Sequence, residues 1–168
     1  MEKCKYSFTA AVTEAVARRE SPAAQQKEIL VPIDFSEPSL TALRCARALA
    51  AGEKAHVILL NVVEEADSFR ILDAVGQQRA RYEQRAGRLQ ELADRELGAQ
   101  IAARIEVREG NPCVEIARLA SQRHVDLIVL GRHEHHGLRQ WLHGHTASKL
   151  SQKAPCPVLL LKAGQHLN

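Results

Sequence analysis

Apolar positions fall in short runs separated by longer stretches of helical spacing. Ile29-Leu30-Val31-Pro32-Ile33 is one such run, ending at Asp34. Val57–Val63 is a second, Leu127–Leu130 a third, ending at Gly131, and Val158–Leu161 a fourth. Continuous apolar runs of strand length predict strands buried on both faces, as in a parallel sheet. Ile105-Glu106-Val107 alternates instead, which predicts an edge strand.

Helical patterns fill the gaps. Ser36 predicts an N-cap for a helix to about Ala51, with Leu40, Leu43 and Ala50 inward. From about Gln77 to Leu97, Tyr82, Ala86, Leu89 and Ala93 mark an inner stripe, and Glu91 and Arg95 are spaced as an outer ion pair. Asn111-Pro112 opens a helix expected to bury Cys113, Ile116, Ala117 and Ala120. A short helix is expected over Thr146–Gln152, before Pro155. Strands alternating with helices predict an α/β fold, a doubly wound parallel sheet with helices on both faces. Ligands of such sheets bind beyond the C-terminal strand ends, where strand order reverses.

Residues 1–26 carry no such pattern. They are expected to be an N-terminal extension and linker, with a weak helix around Ala10–Ala17 and the linker Ser21–Gln26. The domain is expected over 27–163, followed by a tail at 164–168. Met1–Glu20 has charges throughout and no apolar core of the secretory kind. With no run long enough to span a bilayer, no membrane partner is expected, and the location expected is the cytoplasm.

Composition narrows the chemistry. Lys and Arg (23) nearly balance Asp and Glu (20), and aromatics are only 4%, so no nucleic-acid partner is expected. The four cysteines form no CxxC pair, which favours a reducing compartment. Cys113, in a first helical turn, reads as a small buried residue sooner than a reactive thiol.

The segment after the third long run, Gly131 to Thr146, draws attention. Its glycines, Arg132, Arg139 and the helix start near Gly144 suit an anion, although no Walker A or GxGxxG motif is present. Five of the chain's eight histidines (His133, His135, His136, His143, His145) lie in this loop. Imidazoles at that density admit a metal, yet no HExxH or CxxC accompanies them, and no metal ligand is assigned.

From Lys27 to Lys162 the chain resembles the universal stress protein family. The matching pieces are Ile29–Ser36, Val57–Val62, Glu109–Pro112 before a helix, Asp126–Gly131, Gly144 before the last helix, and Ala154–Leu161. The resemblance implies a five-stranded parallel sheet in order 3-2-1-4-5, of the adenine-nucleotide α-hydrolase-like, Rossmann-like kind. It implies a stress-response protein that is a homodimer through the last strand, Val158, Leu159, Leu160 and Leu161. This agrees with an apolar edge that needs covering. It also implies an adenine-nucleotide site: ATP, with Mg as its companion, near Pro32, Asp34, the backbone of Val62, Gly131, His133, Gly144, His145 and Thr146. No catalytic residue is expected, and at most slow ATP hydrolysis.

ATP-binding members carry G-x2-G-x9-G-[ST] here, and this chain matches at Gly131 and Gly144. Glu134 stands at the second glycine and His145 at the hydroxyl position, with Thr146 one place late. A carboxylate at about 4 Å from a phosphate repels it by roughly 4 kcal/mol at an effective dielectric near 20. Two readings therefore remain: a nucleotide module with an altered phosphate loop, or a dimeric interaction protein of the same fold that binds no nucleotide.

Overall fold

The computed structural model describes residues 26–64, 75–132, 150 and 153–162. The rest of the chain, including the N-terminal extension and the loop His133–Thr146, lies outside the described residues.

Five strands, β1 (Glu28–Pro32), β2 (His56–Val63), β3 (Ala103–Glu109), β4 (Leu127–Arg132) and β5 (Val158–Lys162), form one sheet in the order β3-β2-β1-β4-β5. Every pairing is parallel. Among the described residues they are accompanied by α1 (Glu37–Glu53), α2 (Val75–Glu96) and α3 (Pro112–Gln122). Leu150 and Lys153 are also helical. They mark the last expected helix, most of which is outside the described residues.

The unbroken apolar runs have the predicted cause. Odd-numbered positions of the inner strands (Ile29, Val31, Val57, Leu59, Leu127, Val129) face α1 and α2, packing on Leu43, Ala46, Leu89 and Leu92. Even-numbered positions (Leu30, Ile58, Leu60, Ile128, Leu130) pack on Ile116, Leu119 and Leu150. Each strand thus feeds two cores at once, so it has no polar alternation.

Local chemistry sets the helix starts. Ser36 is extended and caps α1 by accepting from the Ser39 N–H, and Asn111 caps α3 by accepting from the Val114 N–H. Proline follows each cap inside the first turn, where its missing N–H costs nothing. At the opposite rim, Asp126 brackets the entry of β4 to β1. Its N–H donates to Glu28 O at 2.9 Å, and its Oδ2 accepts from Glu28 N at 2.9 Å.

Three details depart from the sequence reading. Arg95 pairs with its neighbour Glu96 at 3.3 Å and not with Glu91; Glu96 is held largely out of solvent and also meets Arg44, at 3.5 Å. Cys113 is only half-buried. The inner stripe of α3 is Pro112, Glu115, Ile116, Leu119 and Ala120. Glu115 reaches that stripe because two guanidinium groups compensate its charge, Arg118 at 2.9 Å and Arg108 at 3.5 Å. Strand β3 runs the full Ala103–Glu109. Two of its charged positions meet the α3 side, where Glu106 accepts from Arg123 at 3.0 Å and Arg108 lies 3.5 Å from Glu115.

Candidate functional site

The strand order reverses between β1 and β4. Their register covers only Ile29↔Leu127 and Leu30↔Ile128, whereas β1 pairs with β2 as far as Pro32↔Leu60, and β4 with β5 as far as Arg132↔Lys162. Beyond Leu30 and Ile128 the β1–β4 ladder therefore stops, at the switch point where sheets of this class form a crevice. Backbone polarity gives the reason. Ile33 N–H donates to Leu60 O on β2, and Glu28 N–H donates to Asp126 on the β4 side, so N–H groups at even positions of β1 point toward β4. Pro32 occupies the even position where the next donor would stand, and proline has none.

Asp34 follows at the mouth of this crevice. Its Oδ1 accepts from the Ser36 N–H at 3.0 Å and from the Ser36 hydroxyl. The residue between them, Phe35, has φ of 64°, a left-handed conformation that bulky side chains rarely adopt and that costs about 1–3 kcal/mol. Its ring packs toward the α1–α2 core, and the Arg88 guanidinium lies 4.0 Å over it. The tight turn holds the Asp34 carboxylate against the first turn of α1.

Gly131 is buried near the end of β4, on the other side of the switch point. A Cβ built there would lie 2.1 Å from Pro38 O, 2.2 Å from Pro38 C and 2.8 Å from Ser39 N. The first turn of α1 therefore rests directly on the Gly131 backbone, and this position admits only glycine for packing reasons alone.

Val62 stands near the end of β2, buried on the α3 side. Beside it, Asn61 is 1% exposed and fully engaged: Nδ2 donates to Ile33 O at 2.7 Å, and Oδ1 accepts from Arg85 Nη1 at 3.0 Å. At the end of β3, Tyr82 donates its hydroxyl to Glu109 Oε2 at 3.1 Å. Burial pushes the Tyr82 phenol above its ordinary value, helped by the Glu109 carboxylate.

The sheet thus gathers Pro32, Asp34, Val62 and Gly131 at one rim. His133, Gly144, His145 and Thr146 lie outside the described residues. Sequence reading missed Asn61 and Arg85 and took Tyr82 only as part of a helix's inner stripe; an asparagine interrupting the apolar run Val57–Val63 was the available signal. Among the described residues, no group of three or more His, Cys, Asp or Glu could hold a metal ion.

The described half of this rim combines three features at the switch point of the sheet. It offers a carboxylate acceptor at Asp34, strand-end backbone at Val62, and a gap of missing ladder bonds between β1 and β4. A family model, described as "Universal stress protein family", matches residues 26–162. The chain belongs to the universal stress protein family. Among its curated relatives, universal stress protein MJ0531 of Methanocaldococcus jannaschii is 32% identical over 144 residues, covering 81% of this chain and 82% of that protein. Universal stress protein MJ0577 of the same organism is 30% identical, covering 81% and 94%. The solved structure of MJ0577 has a TM-score of 0.68 at 28% identity, covering 83% of this chain and 98% of that one. A universal stress protein in complex with cAMP has a TM-score of 0.61 at 21% identity, again covering 83% and 98%; at that identity the likeness is one of fold. No helix among the described residues of this universal stress protein is long and apolar enough to cross a membrane.

Proposed function

We propose that this chain is a stress-response nucleotide-binding module that takes an adenine nucleotide, ATP with Mg, into the crevice between β1 and β4. The observation that carries the reading is the parting of these two strands beyond Leu30 and Ile128, with Asp34 and Gly131 on opposite sides of the gap. In this reading Pro32, Asp34 and Val62 line the nucleoside end. Gly131, His133, Gly144, His145 and Thr146 run along the phosphates. The fold also carries adenine nucleotides elsewhere: solved universal stress proteins include complexes with cAMP and with dAMP. The chain binds and reports; it is not an enzyme beyond slow hydrolysis of what it holds. The domain is 27–163, it works in the cytoplasm, and it pairs with a second copy through Val158, Leu159, Leu160 and Leu161.

A second reading, a dimeric interaction protein without nucleotide, is favoured by one feature. Glu134 and His145 replace a glycine and a hydroxyl of the family's phosphate loop. Thermal unfolding with millimolar ATP and Mg separates the two. Ligand at about 100 times Kd adds about 2.7 kcal/mol of stability, a shift of several degrees. No shift rejects nucleotide binding. Glu134→Gly should tighten ATP binding by removing the carboxylate; unchanged affinity would reject Glu134 as the obstacle.

A further inference from the structure

We propose that Asn61 and Arg85 form a positioning device that sets the distance between the two backbone walls at the nucleoside end of the crevice. The inference rests on the nucleotide-binding reading and extends it to residues not among the contacts proposed there. Asn61 is buried within an aliphatic strand, where an amide is costly unless both its ends are bonded. Both are. Nδ2 donates to Ile33 O at 2.7 Å, and Oδ1 accepts from the Arg85 guanidinium at 3.0 Å.

The placement is what matters. Ile33 immediately precedes Asp34, and Asn61 immediately precedes Val62. One side chain therefore ties together the residues just before the two nucleoside-facing positions. Ile33 N–H also donates to Leu60 O at 2.8 Å, so both polar backbone groups of Ile33 are held by β2, one residue past the end of β1. Arg85 bonds the amide oxygen with a charged donor, which polarises the amide and strengthens its hold on Ile33.

Arg85 is itself anchored by its neighbours one helical turn away on α2. Tyr82 donates to Glu109 at the end of β3, at 3.1 Å. The Arg88 guanidinium covers Phe35, just past β1, at 4.0 Å. Tyr82, Arg85 and Arg88 thus fasten α2 across the ends of β3, β2 and β1 in turn. A ligand that must touch Asp34 and Val62 together depends on this spacing, because small misplacements in a preorganised site are expensive.

The test compares wild type with Arg85→Met and Arg85→Lys. Affinities for ATP and GTP with Mg are read by calorimetry, and the backbone amides of Asp34 and Val62 by NMR without ligand. Arg85 is half-exposed at the rim, so its replacement leaves the aliphatic core packing in place, whereas Asn61→Leu alters the core itself. Arg85→Met should weaken ATP binding about tenfold, the lower end of the worth of one charged hydrogen bond. It should also narrow the ATP-over-GTP preference and shift both amides. Arg85→Lys, which keeps a cationic donor, should recover most of both. Arg85→Met with wild-type affinity, preference and amide positions overturns the proposal. So does a loss of melting temperature that leaves affinity and preference alone. Wild type that binds no nucleotide, with the amides still displaced in Arg85→Met, rejects the nucleotide reading while retaining the Asn61–Arg85 tie.

Discussion

Gly131 shows how one residue answers to two demands. In the sequence it reads as a phosphate-approach glycine, and the fold adds that α1 leaves no room for a Cβ, with Pro38 O at 2.1 Å. Both demands ask for the same missing atom, so spacing along the chain could not separate them. Gly131→Ala should lose at least the 1–3 kcal/mol typical of overpacking, read as a lower urea midpoint in protein without ligand. Gly52→Ala and Gly87→Ala are the controls. A Cβ at either meets nothing within 4 Å, and in helices each should gain about 0.5–1 kcal/mol. Tyr82 makes a pH prediction. Its phenol is raised above the ordinary 10.0 by burial first and Glu109 second, so the folded state favours the protonated form. That contribution is complete below the ordinary tyrosine value and disappears as pH rises through the raised one. Urea unfolding of wild type should therefore weaken more steeply between pH 9 and about 11 than that of Tyr82→Phe.

Strands β1, β3 and β5 carry the element-scale argument. β1 was legible as a buried strand, but its early release from β4 was not. That release depends on which neighbour the missing Pro32 N–H would have faced, and only the register reveals it. Pro32→Ala should restore the donor, protect that amide from hydrogen exchange, and weaken ATP binding with little change in melting temperature. The two edge strands differ in kind. β3 sets charge against α3 through Glu106–Arg123 and Arg108–Glu115, which discourages pairing with another chain. β5 carries no such guard along Val158–Leu161, and Leu160 is 39% exposed. Leu160→Lys should therefore convert the proposed dimer to monomer in sedimentation velocity, while Glu106→Gln should leave assembly unchanged. A wild type that is already monomeric would remove β5 as the pairing surface.

At the scale of the molecule, two packed cores share one sheet, and the topology carries Asp34, Val62 and Gly131 to one rim from far apart in the chain. Ligand linkage acts on this whole. ATP bound across the β1–β4 gap should raise the melting temperature of the intact chain, and Glu134→Gly should enlarge that rise. The sequence by itself determined the α/β class, the doubly wound sheet and the caps at Ser36 and Asn111. These depend on apolar period and on local hydrogen bonds, both written in consecutive residues. It also located the C-terminal rim of the sheet, since strand ends are visible as the ends of apolar runs. Only the tertiary structure decided that Pro32 opens the crevice, that Gly131 is a packing glycine, and that Asn61 and Arg85 tie β1 to β2. Each of those depends on which strand or helix lies alongside, and nothing along the chain encodes a neighbour's distance until the sheet is assembled.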